Sequence, residues 1–479
     1  MFSADFKKIN FQLKINIITK TEFDNTENEA LNKTDVSGSL RLINGLRILH
    51  ILSPVKWNGD TFNANADANW KVAEKTIRFL PNCHHYILVP HNHTIRIQQE
   101  NVSYIKYDYP KSVQLNRGMF DYRQIKFDFT KLDVDFVFNH QPELTYNIHQ
   151  WFHSNRYYED VIYFGFYHWI DCKQSRGSVS GCPSFYMRQL ESMHILDANF
   201  VHSNISLDYL KGNFKEFDCS HLISKVYEMP LSGRIDVEPT PFNLPNKKIL
   251  LFNHRWAESS GIKRMMQYVD KLDDSYVVWV TDESCDVKND KFIVKNLTYS
   301  DYAYLVENCY ASICFIDGYA TWNLAVQDAL IKKKPSLFFE HKTIRKVVGE
   351  KYNGGFKNFE QFKYILEIND ADDFDNCIIS EHDFIFELQL KTAMLEHWKD
   401  TSKKPKDADA WINCIENGIT DKKSICTKVN PKVRLNGTAH FIRRHLLNNG
   451  VTDDIKEPYT QYFIEGNANT IKHDLFSSM

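Results

Sequence analysis

Short apolar runs punctuate the chain, each followed by a polar loop or an amphipathic stretch. The first clear one is LRILHILSP (46–54); HHYILVP (84–90), VSYIKYD (102–108), DVDFVFNH (133–140), DVIYFGFYH (160–168), ANFVHSN (198–204) and SKVYEMP (224–230) follow. Runs that stay apolar on successive positions are the pattern of strands buried on both faces of a parallel sheet. Between the first two lies NWKVAEKTIRFL (69–80), with helical spacing. Strands alternating with helices predict a doubly wound α/β domain, here over residues 41–245.

EPTPFNLPNKK (238–248) holds three prolines and reads as a linker. A second series then begins. KKILLFNHR, YVVWVTDES, KFIVKN, ASICFID and KPSLFFEH read as strands; GIKRMMQYVDKL, SDYAYLVENC and TWNLAVQDALIKK read as helices. They predict a second Rossmann-like domain over 246–395. The fold class is therefore α/β, with two Rossmann-like domains facing across a cleft. Residues 1–40 read as an N-terminal extension, with a β element at NFQLKINIIT (10–19) and then a polar stretch. Residues 396–479 read as a basic, mainly helical C-terminal appendage that partly returns to the first domain. No repeat of solenoid length is visible.

Composition narrows the class. Of 479 residues, 43% are hydrophobic and 14% aromatic, which excludes a disordered chain. The apolar runs fall short of the roughly 18 residues that read as a membrane span, and MFSADFKKINFQLKIN lacks a secretory-signal pattern. The ten cysteines are scattered without a CxxC pair, as in a reducing compartment. These features predict a soluble, cytoplasmic monomer with no membrane contact. The net charge of −3 excludes a strongly basic nucleic-acid coat. Between 402 and 444, however, ten Lys/Arg stand against four Asp/Glu. Many Lys, Asn, Asp, Phe and Tyr with few Ala and Gly fit an AT-rich genome such as that of a phage.

Ligands of open α/β sheets bind at the carboxyl ends of the strands. Five loops there carry candidate chemistry. After the first strand, Asn58-Gly59 supplies a tight turn that lets backbone approach a ligand; no GxGxxG accompanies it, which weakens a dinucleotide reading. After KILLF come Asn253-His254-Arg255, with Lys263 in the next helix, a basic pair suited to a diphosphate. After ASICF, a loop holding Tyr319, Thr321, Trp322 and Asn323 leads to Asp328. Thr321 is expected to cap a helix starting there. Asp328, five positions from Asn323 and on another helix face, suits the two hydroxyls of a ribose. In the first domain Glu143 follows VDFVF, and His168 and Asp171 follow VIYFGF; each type can serve as a general base or hold sugar hydroxyls. Trp151, Phe152, Tyr157, Tyr158, Tyr163, Phe164, Phe166, Tyr167 and Trp169 crowd the same region, where core packing outweighs stacking on a ligand.

The order strand-HRW-helix, then strand-loop-TWNLAVQDAL-IKKKP-strand, resembles the C-terminal domain of GT-B glycosyltransferases of the broad family 4 type. LRILHILSP and ANFVHSN resemble that family's first domain. The likeness implies a nucleotide-sugar donor, most simply a UDP-sugar, with Arg255 and Lys263 on its diphosphate and no strict need for a metal. It implies that Asp328-Ala329 to Pro335 is the second half of an acid-x7-acid motif; the first acid's position holds Ala320. By their place at the strand ends, Asn58, Gly59, Tyr319, Thr321, Trp322 and Asn323 are candidates for the donor side, and His168, Asp171 and Glu143 for the catalytic, acceptor side.

The basic stretch, with Lys403, Lys404, Lys406, Lys422, Lys423, Lys432 and Arg434, suits the phosphates of double-stranded DNA. The preferred reading is a glycosyltransferase that acts on the hydroxymethyl group of a modified pyrimidine, hydroxymethylcytosine, flipped out of phage DNA. Two others stand beside it: a transferase for a surface glycan, lipid or small molecule, and a non-catalytic DNA-binding protein of the same fold.

Overall fold

The computed structural model describes residues 46–52, 67–90, 98–107, 134–156, 161–172, 185–233, 235–368 and 374–401. The β element expected at 10–19, the Asn58-Gly59 turn and the basic residues Lys403 to Arg434 lie outside these.

The first domain runs β1 (Arg47–Ile51), α1 (Ala68–Phe79), β2 (His84–Pro90), β3 (Val102–Tyr107), β4 (Phe136–Asn139), α2 (Thr145–Arg156), β5 (Ile162–Tyr167), α3 (Phe185–Ile195), β6 (Ala198–Val201), α4 (Asn204–Glu216) and β7 (Val226–Glu228). Among the described residues its sheet has seven strands, all parallel, in the order β3-β2-β1-β4-β5-β6-β7. The second domain runs β8 (Lys248–Phe252), α5 (Ile262–Val269), β9 (Tyr276–Val280), β10 (Phe292–Val294), α6 (Tyr299–Asn308), β11 (Ala311–Cys314), α7 (Ala325–Ile331), β12 (Ser336–Phe339), α8 (Lys342–Val348), β13 (Gly355–Phe356) and α9 (Phe359–Ile368). Its six strands are also parallel, ordered β10-β9-β8-β11-β12-β13. In both sheets the strand order reverses beside the first strand of the domain. That creates a switch point between β1 and β4 and another between β8 and β11, where a crevice opens for ligands.

The strands form where the apolar runs predict them because both faces are covered. β4, β5, β6, β9 and β11 are buried at every position. Trp151, Phe152, Tyr163, Phe164, Phe166 and Tyr167 are core residues, as are Cys309 and Cys314. Local signals set the helix starts. Asp67 accepts from the Trp70 N–H at α1, and Thr298 and Asp301 form a reciprocal capping box at α6. Gly261, at φ 75°, turns the chain into α5, and a Cβ there would lie 2.0 Å from the Phe315 carbonyl. The loop after β8 is thereby pressed onto the end of β11.

One expectation is corrected. The helix carrying Asp328 starts at Ala325, not at Thr321. Thr321 Oγ1 instead donates to the His168 carbonyl across the domain boundary at 2.7 Å, so tertiary contact overrides the capping preference. Asn323 takes the helix-start role, accepting from the Val326 N–H at 3.1 Å.

The last helix, α10 (Ile379–Thr401), leaves the second domain and crosses back to the first. Its Asp383 carboxylate receives Lys75 and Arg78 from α1 and the Ser232 hydroxyl from the segment after β7. Phe386 packs on Phe79, and His397 on Phe164. Among the described residues, no helix is long and apolar enough to cross a membrane.

Candidate active site

At the carboxyl edge of the first sheet, β4 runs into Asn139-His140-Gln141. The Asn139 side chain locks this turn. Its amide donates to the Gln141 carbonyl at 2.9 Å and to Thr145 Oγ1 at 3.0 Å, and its oxygen accepts from the Gln141 N–H at 2.8 Å. Glu143 is buried in the next turn. Burial first, then the Glu143 charge, raises the Tyr167 hydroxyl well above its ordinary value. His168, just past β5, is buried with its ring 4.7 Å from Phe166 and 5.7 Å from His202. Asp171 is fully buried; its backbone is held by Gln189 of α3 at 2.9 Å and Asn213 of α4 at 2.8 Å.

At the matching edge of the second sheet, Asn253 donates to the Tyr302 hydroxyl at 2.8 Å and to the Ala325 carbonyl at 2.9 Å. Tyr302 in turn donates to Asp328 at 2.6 Å. Asp328 is thereby held at the strand ends, where burial raises its carboxyl to about 6 despite hydrogen bonds from Tyr302 and Asn253 and the charge of Lys71. Arg255 is exposed at the end of β8. Its charge helps hold the nearby Asp282 carboxyl low; burial alone would raise that group, but the Trp256 and Ser284 donors and Arg255 outweigh it. Lys263 projects to solvent and pairs with Glu258. Its neighbour Arg264 faces inward, 2.8 Å from Asp317 just past β11 and over the Phe339 ring at 3.8 Å.

Tyr319, Thr321 and Trp322 are drawn to the first domain. The Tyr319 hydroxyl accepts from the Ile170 N–H at 3.0 Å and donates to the Ile170 carbonyl. Trp322 stacks on His202 at 5.3 Å with planes 5° apart, and its indole N–H donates to the Leu231 carbonyl at 2.7 Å. The loop after β11 thus latches the two strand edges together. Beside the latch lies a polar cavity of about 430 Å³, between Asn204 and Asp208 of α4 and His341, Lys342 and Arg345 around α8.

The strand edges share a feature that no motif announced. Several buried side chains there have their donor half engaged and their acceptor half open. Gln141 donates to the His140 carbonyl at 2.9 Å, and its Oε1 has no partner among the described residues. His202 bonds to the His168 backbone, leaving Nδ1 without one. Asn253 spends its amide hydrogens, leaving Oδ1, and His140 Nδ1 is open likewise. Burial lowers His202 and His140 to about 3 each, so both rings are neutral. A neutral ring with one N–H committed presents a lone pair. No group of three or more His, Cys, Asp or Glu among the described residues could hold a metal ion.

No protein-family model and no curated protein sequence matches the chain. Solved structures do. Sucrose-phosphate synthase from Thermosynechococcus elongatus is 11% identical, with a TM-score of 0.54, covering 74% of this chain and 98% of that one. Anabaena HepE, solved in complex with UDP and glucose, is 9% identical, with a TM-score of 0.50, covering 74% of this chain and all of that one. At such identities the likeness is one of fold: two parallel-sheet domains in the GT-B arrangement.

Proposed function

We propose that the protein is a glycosyltransferase that takes its sugar from a UDP-sugar. The observation that carries this reading is the set of open, buried acceptors at both strand edges: His140 Nδ1, Gln141 Oε1, His202 Nδ1 and Asn253 Oδ1. A buried acceptor left unmet costs about 1–3 kcal/mol. Four acceptors with no matching donors among the described residues ask for a ligand rich in O–H groups, which is what a sugar offers. The fold shared with HepE, whose structure holds UDP and glucose, supports the same conclusion.

In this reading Arg255 faces the diphosphate, and Lys263, paired with Glu258, stays at the rim of the site. Asp328, beside Asn253, accepts the ribose hydroxyls. An acceptor hydroxyl attacks the anomeric carbon through its oxygen, the bond from that carbon to the phosphate oxygen breaks, and the diphosphate leaves with the electron pair and takes up the hydroxyl's proton. Arg255 offsets the charge that develops on it. His168, Glu143 and Asp171 lie on the acceptor side. The Ala320 position supplies no acid, so Asp328 carries the carboxylate role alone.

For the acceptor, we infer the hydroxymethyl group of hydroxymethylcytosine in DNA, with Lys403, Lys404, Lys406, Lys422, Lys423, Lys432 and Arg434 on the phosphates; the charge of that stretch supports it. Release of UDP from UDP-glucose is the test, with hydroxymethylcytosine duplex, unmodified duplex and an oligosaccharide panel as acceptors. Turnover with the modified duplex alone is expected. Turnover on oligosaccharides alone moves the acceptor to a glycan. DNA binding without UDP release removes the transferase reading.

A further inference from the structure

Three histidines of the first sheet stand in line, and only the last of them, His140, has entered the reading above, as an open acceptor. His85 on β2, His50 on β1 and His140 after β4 are each fully buried. His140 Nε2 lies 3.2 Å from His50 Nδ1, His50 Nε2 lies 3.0 Å from His85 Nδ1, and His85 Nε2 lies 3.0 Å from the Leu80 carbonyl oxygen.

The last contact sets the direction of the whole chain. A carbonyl oxygen can only accept, so His85 donates from Nε2. Its Nδ1 is then a lone pair and must meet an N–H, which His50 Nε2 supplies. His50 Nδ1 accepts from His140 Nε2 by the same logic. Burial first, and for His50 the neighbouring rings as well, pushes all three below their ordinary value, His85 to about 4 and His140 to about 3. A single tautomer therefore runs from His140 to Leu80, and His140 Nδ1 is left bare.

The direction of that lone pair follows from the register. His50 pairs with Phe138, one same-face step closer to the amino end than His140. The two ring nitrogens of an imidazole point nearly opposite ways. With Nε2 aimed down at His50, Nδ1 looks toward the carboxyl edge. β1 and β4 flank the switch point of this sheet, where a ligand crevice belongs.

We propose that His140 binds the sugar acceptor: its Nδ1, kept bare by the one-way chain through His50 and His85 to the Leu80 carbonyl, accepts a hydrogen bond from an acceptor hydroxyl. The inference rests on the transferase reading and adds a selection rule to it. A ligand group with an O–H is received, and a group with lone pairs alone meets a facing lone pair. Because the ring stays neutral, it orients the hydroxyl without removing its proton, which leaves with the diphosphate.

The test is a nitrogen-15 spectrum of the histidine rings in the full-length protein, alone, with UDP, and with UDP plus either D-glucose or a hydroxymethylcytosine duplex. Without ligand, His140 is expected to show an unprotonated, unbonded Nδ1. One of the two hydroxyl probes should shift it to the hydrogen-bonded position. A proton on Nδ1 without ligand, or no shift with either probe while UDP binds, overturns the inference and leaves the transferase reading intact. A shift without UDP binding does the opposite, and the absence of both removes both. His140→Gln gives a second check, since its amide keeps the donor toward His50 and loses the Nδ1 acceptor. Its melting point should hold while transfer falls roughly ten- to a hundredfold with UDP affinity unchanged. Transfer at the wild-type rate also overturns the assignment.

Discussion

At the carboxyl edge of the first sheet, apart from Glu143 and Asp171, the polar side chains are buried, and His140, Gln141 and His202 are neutral as well. At the edge of the second sheet, beyond Asn253, His254 and Tyr302, they are charged: Arg255, Arg264 with Asp317, and Asp282 reach water, and Asp328 is set deeper. The same topology thus presents two chemistries. Neutral acceptors suit hydroxyls that must be sorted without charge. Charged groups near solvent suit a diphosphate that arrives and leaves charged. The latch of Tyr319, Thr321 and Trp322 joins the edges, so each can be perturbed while the other reports.

The largest expected effect is acid instability on the neutral side. A histidine whose folded value is depressed adds stability that is present above its unfolded value, near 6.5, and lost as pH falls toward the folded one. His85 lies at about 4, His140 and His202 at about 3, and His50 is also lowered. Each contributes a loss of up to about 1.4 kcal/mol per pH unit below 6.5. Urea midpoints measured from pH 7 to 4.5 should therefore drop steeply, with uptake of several protons on unfolding. A flat profile would mean that these rings are not neutral in the fold.

Next comes the charged side. Arg255→Ala should lower transfer by roughly 10²–10³-fold, the scale of losing one charge-stabilising donor, with the urea midpoint unchanged because the side chain is exposed. Asp328→Asn should behave differently. Its folded value, about 6, is raised, so the stability it adds is present below the unfolded value and lost as pH rises through 6. At pH 8 the Asn variant should be more stable than the wild type by about 1–2 kcal/mol, and should bind UDP less tightly. A less stable variant would show that the Tyr302 and Asn253 hydrogen bonds outweigh the burial cost.

The fold was legible because continuous apolar runs such as KILLF and YVVWV mark doubly covered strands. β13, with two residues, gave no such mark. Site residues were legible as loops after strands, but their contacts were not. Thr321 looked like a helix cap because a hydroxyl before an apolar stretch is the local signal, and its partner is a carbonyl 153 residues away. The histidine chain joins positions 35 and 90 residues apart, so strand register, not sequence spacing, brings it together.

The smallest expected effect tests which way α5 faces. Lys263 and Arg264 are adjacent in sequence, and a helix turns them onto different faces. Lys263 is 78% exposed and pairs with the equally exposed Glu258, whereas Arg264 reaches Asp317 at the strand ends and packs on Phe339. An ion pair between two exposed side chains is weak. Lys263→Ala should therefore leave the melting point unchanged and shift the KM for the UDP-sugar by no more than about threefold. Arg264→Ala, by stripping the partner from Asp317, should lower the melting point measurably. If Lys263→Ala instead matches the loss seen with Arg255→Ala, then Lys263 leaves Glu258 for the diphosphate when the donor binds. The charged edge would then extend one helical face further than the unliganded chain displays.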